Sequence, residues 1–176
     1  MDDSYIFFWK PDEQYGVFSP MCQMPFLVEG ITYETSIQYI VAKHALLEMD
    51  FISYQRVMSE SDPVKCKDMG KEIKDSILWK MFQREVVFNA TLERIRQHKD
   101  AKDLLLSTVP KFLVAANPDI IWGNGLEASH PNAAKPALWP GYNLYGFILM
   151  MVRNALENEM SLSGEKCEKL NRRINS

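Results

Sequence analysis

Ile6-Phe7-Phe8-Trp9 is a dense run of β-formers that Lys10-Pro11 stops, so the chain opens on a strand. Phe26-Leu27-Val28 and Ile31-Thr32-Tyr33 flank Glu29-Gly30, the spacing of a hairpin closed by a tight turn. Between these runs, Tyr15 to Pro25 carries Gly16, Pro20 and Pro25 and reads as loop. The period then changes. Thr35-Ser36 can cap a helix whose apolar face is Ile37, Ile40, Val41, His44 and Leu47. A short helix over Pro63 to Met69 starts on its proline and stops at Gly70. The longest periodic stretch predicts a helix from about Asp75 to Gln97, with Leu78, Met81, Phe82, Val86, Phe88, Leu92 and Ile95 on its apolar arc. Lys102 to Thr108 adds another turn or two, and Phe112 to Ala115 reads as a late strand that Pro118 ends. The Gly-, Pro- and Asn-rich stretch from Gly123 to Gly141 has no period and predicts a long loop. Leu144, Ile148, Met151, Val152 and Ala155 mark a last helix from about Asn143 to Glu157, and the polar tail from Ser161 to Ser176 is expected to fray.

Strands first, helices in the middle and one late strand argue for a compact α+β fold rather than a βαβ array. The expected architecture is a single domain over residues 5–157, a small, mostly antiparallel sheet with surrounding helices, followed by a polar, flexible tail over 158–176. No Gly-x-Gly-x-x-Gly follows a strand and no phosphate-binding Gly-Lys loop occurs, which excludes the common nucleotide folds.

Composition narrows the field further. At 176 residues, with 47% hydrophobic and 24% charged side chains, the chain has the make-up of one ordinary globular domain. Its 20 Lys+Arg against 23 Asp+Glu leave a net charge of -3, so no bulk positive charge drives nucleic-acid phosphate contacts, although a local basic groove stays open. Cys22, Cys66 and Cys167, odd in number and widely spaced, make neither a disulfide framework nor a zinc clamp and point to a reducing compartment. The N-terminus lacks the positive start of a signal peptide, and the longest apolar run, Phe147 to Val152, is far too short for a membrane span. A soluble, cytoplasmic protein without a membrane partner is expected.

The most unusual local cluster is Trp122-Gly123-Asn124-Gly125, preceded by Pro118-Asp119. Two glycines let backbone approach a ligand, tryptophan offers a face for a flat ring, and the carboxylate can act as base or cation stabiliser. The same residues also suit a tight turn with a packed tryptophan and a capping aspartate. His44, on the apolar face of its helix, reads as a satisfied core histidine or a site group, whereas His98 and His130 sit in polar surroundings and read as exposed. No histidine has a metal partner at helical spacing, so no metal is expected. Trp79 reads first as core. Asn143, at the start of the last helix, could cap it or turn its amide to a ligand at the helix N-terminus. Serine, cysteine and histidine form no recognisable nucleophile arrangement.

Taken in order, these pieces resemble one family. Tyr15-Gly16-Val17-Phe18-Ser19, then Pro25-Phe26, then Gly30 to Tyr39 with Thr35, Gln38 and Tyr39, are similar to the opening of the NADAR family, also called the YbiA-like N-glycosidases. The helix from Trp79 to His98, Leu104 to Thr108, Leu113-Val114, Asp119 to Gly125 and Gly141 to Arg153 match its remaining blocks, so the likeness covers residues 5–157. The resemblance implies a compact α+β domain that needs no cofactor and cleaves an N-glycosidic bond between a ribose carbon and a nitrogen. It implies substrates such as early riboflavin-pathway intermediates or ADP-ribose attached to guanine, and hence a nucleotide or ADP-ribose-like partner that extends to ADP-ribosylated nucleic acid. Such cleavage passes through an oxocarbenium-like state that a nearby carboxylate stabilises.

The resemblance carries Trp79, Trp122, Gly123 and Asn143 over as ligand-binding and Asp119 as catalytic. It also exposes departures. The family's glutamate in T-x-E-[HQ]-Y is Ile37, its lysine falls at His44 with Lys43 one position early, and its later glutamate and asparagine are Ala115 and Pro20. One residue is also missing between Pro118 and Asp119. Ile37 cannot bind a ribose hydroxyl, and Lys43 points about 100° away from the lost lysine. His44 or Lys43 is therefore expected to supply a donor if turnover survives. A catalytically degenerate nucleotide-binding module is the alternative, and a structural interaction protein the outsider.

Overall fold

The computed structural model describes residues 4–174, with side chains for residues 4–162. In chain order the elements are β1 (Tyr5–Phe8), β2 (Phe26–Val28), β3 (Ile31–Tyr33), α1 (Ser36–Leu47), α2 (Phe51–Met58), α3 (Pro63–Gly70), α4 (Ile77–Gln97), α5 (Lys99–Leu106), β4 (Phe112–Ala115) and α6 (Leu144–Ile174). Two 3₁₀ turns, Gly16–Phe18 and Pro136–Leu138, interrupt the loops before β2 and before α6.

The strands form two separate pairs. β2 and β3 make the expected antiparallel hairpin, in register from Phe26↔Tyr33 to Val28↔Ile31. Its turn residues Glu29 and Gly30 have φ of 52° and 82°, the left-handed values a two-residue turn demands, so the glycine is needed there and the glutamate is strained. β1 pairs with β4 in parallel, Tyr5↔Phe112 to Phe8↔Ala115. A parallel partner needs a long crossover, and the whole helical stretch from α1 to α5 supplies it. The sheet is therefore not one mostly antiparallel unit but one antiparallel and one parallel pair inside a compact α+β domain.

α1 is the central helix. Thr35 caps it, its Oγ1 accepting from the Gln38 amide at 3.2 Å. Burial extends right round it, to Gln38, Tyr39, Ala42 and Ala45 as well as the expected stripe, because α2, α3 and α4 all pack on it. Gln38 is a buried tie: Oε1 accepts from Glu34 N at 2.7 Å, and Nε2 donates to the carbonyls of Val57 and Glu60 at 3.1 and 2.8 Å. α3 comes equally close, since a Cβ on Gly70 would stand 2.9 Å from a Val41 methyl.

α4 corrects the expected apolar arc. Trp79, Val87, Ala90, Leu92 and Ile95 face the core, while Leu78, Met81 and Phe82 are exposed, because nothing packs over the outer side of its first turns. α6 buries Tyr145, Ile148, Leu149, Val152 and Leu156 against β4 and α4, and Met151 faces out. It runs on past Glu157 to Ile174, through much of the stretch expected to fray. Early in that continuation Glu159 pairs with Arg96 of α4, which also pairs with Glu93. Among the described residues, no helix is long and apolar enough to cross a membrane. Cys22 and Cys66 are free, and the Cys167 side chain lies outside the described residues.

Candidate functional site

A cavity of about 300 Å³ opens where the α1–α4 layer meets the loops around the parallel strand pair. α1 contributes Ile37 and Ile40, α4 contributes Trp79, Gln83 and Val87, and the loop after β4 contributes Asp119, Ile121 and Trp122. Trp9, at the end of β1, Lys67 of α3 and Asp75 close the remaining sides. The volume is at the low end of small-molecule pockets, and the lining is mostly apolar with a few polar groups at its edge, as ligand pockets are.

Ile37, Trp79, Asp119 and Trp122, drawn from three segments, thus share one cleft as the sequence reading expects. His44 does not line it but lies behind Trp79 and Asp75, which do. It is almost wholly buried and stacks on the Trp79 ring with centroids 4.0 Å apart and planes 15° from parallel. Its Nε2 lies 3.3 Å from the Lys74 carbonyl and 3.4 Å from Asp75 Oδ1. The imidazole therefore backs the tryptophan wall and links it to Asp75, which itself lines the cavity. Lys43 is elsewhere: its ammonium pairs with Glu29 at 3.6 Å and sits over the Tyr39 ring, against the β2–β3 hairpin. The helical offset of one residue explains this, and the cavity receives no lysine from α1.

Burial holds the His44 pKa below its ordinary value of 6.5, against the raising influence of the Lys74 carbonyl, Asp75 and Glu48. A depressed histidine pKa means the unfolded chain takes up the proton more readily. The stability from neutral His44 is thus present in full above about pH 6.5 and drains as pH falls below it. His44→Phe preserves an aromatic stack but does not titrate. The stability advantage of wild type over this variant, read from urea unfolding, is expected to shrink as pH falls from about 7.5 to 5.5. An advantage that grows instead would show that His44 is folded as the cation.

The loop after β4 is built by side chains that cap backbone. Asn117 Oδ1 accepts from Asp119 N at 2.8 Å, and Asp119 Oδ1 accepts from the amides of Ile121 and Trp122 at 2.8 and 2.9 Å. Asp119 is therefore both a turn cap and an exposed carboxylate at the cavity. Trp122 is half-buried, with one side on the core and another on the cavity. Gly123 does not line the cavity. It is buried, and a Cβ there would collide with the Asn117 side-chain amide.

Asn143 is likewise not a ligand group. It is wholly buried, with Oδ1 accepting from Ala115 N at 2.8 Å and Nδ2 donating to Leu113 O at 3.0 Å. Both ends of the amide are spent on β4, and the residue adopts φ 53° to reach it. Ala115 is enclosed beside it, whereas Pro20 lines the cavity and its carbonyl receives the Ile37 amide at 3.0 Å. His130 is exposed as expected, but His98 is half-buried with Nε2 2.8 Å from the Pro25 carbonyl.

Sequence reasoning missed Trp9, Lys67, Asp75 and Gln83 on the cavity wall. It also missed the residues that hold the Pro20–Met21 edge. Arg94, wholly buried on α4, donates from Nη1 to Val17 O at 2.9 Å and from Nη2 to Phe18 O at 3.4 Å. Tyr145 Oη donates to the same Phe18 carbonyl at 3.0 Å. For Arg94 the available signal was its place on the helix face that also carries Val87, Ala90 and Thr91, since arginine is seldom fully buried without a task.

A cleft lined by Trp9, Trp79 and Trp122, with the Asp119 carboxylate held at its edge by backbone amides, is the candidate site of this α+β domain. The chain belongs to the NADAR domain family, whose profile matches residues 7–157. It is 32% identical over 162 residues to N-glycosidase R617 of Acanthamoeba polyphaga mimivirus, covering 86% of this chain and 95% of the relative. It is 30% identical over 162 residues to N-glycosidase YbiA of Escherichia coli strain K12, covering 90% of this chain and 92% of YbiA. The NMR structure of E. coli YbiA superposes with a TM-score of 0.75 at 28% identity, over 91% of this chain and 89% of that one.

Proposed function

We propose that this protein is an N-glycosidase that cleaves the bond between ribose C1 and a nitrogen in a ribosyl nucleotide, of the riboflavin-intermediate or ADP-ribosyl-guanine type. The observation that carries the reading is the meeting of Trp79, Trp122 and Asp119 on one cavity. Stacking on a tryptophan face holds the departing base and is worth about 1–3 kcal/mol. As the C1–N bond breaks, positive charge grows on C1 and the ring oxygen, and the Asp119 carboxylate stabilises it. Water then bonds to C1, its proton accompanies the leaving nitrogen, and free base and the ribosyl hydroxyl result. The α1 face supplies no second carboxylate, because Ile37 occupies the wall where the resemblance implies a glutamate.

That gap predicts slow turnover. Ile37→Glu is expected to raise the rate of base release on the order of 10²-fold, followed by mass analysis with ribosyl nucleotides and ADP-ribosylated guanine as substrates. Rapid wild-type cleavage that Ile37→Glu leaves unchanged would place the chemistry elsewhere. A second reading, a nucleotide-binding module that has lost the reaction, draws on the same Ile37 and on the absence of Lys43 and His44 from the lining. It requires tight nucleotide binding with no base released by wild type or variant.

A further inference from the structure

Lys67 is the one basic side chain among the described residues that line the cavity, where it faces a wall that otherwise carries only the acids Asp75 and Asp119. It comes from α3, an element that no motif of the sequence singled out. The lysines before and after it in the chain are spoken for: Lys65 pairs with Glu60 at 3.7 Å and Lys71 with Asp68 at 2.6 Å. Lys67 forms no ion pair among the described residues and instead holds its ammonium 5.9 Å from the centre of the Trp9 ring. An aromatic face orients a cation without neutralising it, so the charge stays available to an incoming anion.

We infer that Lys67 is the anchor for a phosphate group of the ligand and fixes which way round the ligand lies. This rests on the N-glycosidase reading and adds the anionic end of the substrate to it. A phosphate brings strong acceptor oxygens, and a lysine ammonium binds them as a flexible point charge. Without such a cation, a phosphate in this cavity would meet two carboxylates and no compensating charge. Lys67 reaches the cavity from α3, and Asp119 and Trp122 reach it from the loop after β4. A ligand with its phosphate on Lys67 is thereby directed to present its base and anomeric carbon toward Asp119 and Trp122. Lys67 is a binding and positioning residue on this account, and it takes no proton and forms no bond to carbon.

The test is isothermal titration of the full chain with ribose 5-phosphate and with ribose, on wild type, Lys67→Ala and Lys67→Arg. The side chain is exposed, so both variants are expected to melt with wild type. Wild type is expected to prefer ribose 5-phosphate. Lys67→Ala should weaken that ligand about 10-fold or more and leave ribose unchanged, and Lys67→Arg should restore most of the loss. Equal weakening of both ligands would mean that Lys67 only shapes the wall and would overturn the inference. Failure of arginine to rescue, an unchanged Lys67→Ala affinity, or a wild type that does not distinguish the two ligands would overturn it as well. Each of these leaves the N-glycosidase reading standing wherever wild type releases base. A phosphate-specific loss in Lys67→Ala without base release from any substrate would uphold the anchor and reject the glycosidase.

Discussion

Asp119→Asn is expected to lower base release by about 10²- to 10³-fold while leaving the fold intact. The substitution separates the two tasks of this residue. Asparagine keeps a side-chain oxygen, so the bonds that Oδ1 accepts from the Ile121 and Trp122 amides survive and the turn persists. What disappears is the negative charge that the proposed reaction sets beside the anomeric carbon. Asp119→Ala would confuse the issue, because it also removes a cap worth roughly 1 kcal/mol. The measurement is single-turnover base release alongside thermal melting. An Asp119→Asn enzyme that melts with wild type and cleaves as fast would reduce Asp119 to its capping role.

Arg94→Ala is expected to cost about 3–5 kcal/mol of stability, the range for a large buried side chain whose removal leaves a void and unpaired polar groups. Arg94 has no carboxylate partner among the described residues, and it satisfies the Val17 and Phe18 carbonyls of the 3₁₀ turn. For a domain of this size the loss corresponds to a drop in melting temperature of roughly 10 °C. The effect should reach the cavity too, since Pro20 and Met21 follow directly on that turn and form part of its wall. Urea unfolding together with nucleotide titration at low temperature measures both. A variant that loses less than about 1 kcal/mol would show that Tyr145 alone holds the turn.

The elements that announce themselves by pattern were legible: the hairpin from its Glu29-Gly30 turn, α1 from its Thr35 cap, and the late strand from Phe112 to Ala115. α2 was not, and its burial explains why. Asp50 caps it, accepting from Ser53 N at 3.0 Å, but only Val57 is buried, and Phe51 and Ile52 point outward. A helix with one core residue leaves no period to read. The arc of α4 failed in the opposite way: Leu78, Met81 and Phe82 keep the period but have no neighbour to pack on. At the site, order along the chain was enough to place Ile37, Trp79, Asp119 and Trp122. The direction of a side chain was not readable. Lys43 turned to the hairpin, the Asn143 amide turned to β4, and Lys67 entered from a short helix of which only the ends, Pro63 and Gly70, were read.

The Asn143 clip has a consequence for how the molecule behaves in a crowd. β1 occupies one side of β4, and on the other side the amide of Ala115 and the carbonyl of Leu113 would be an open template. Asn143 answers both with a single side chain, in the way the backbone of a neighbouring strand would, and the Asn124 amide takes the Ala115 carbonyl at 3.0 Å. That side of β4 is thus closed to a strand from another copy of the chain, the route by which exposed edges seed fibrils.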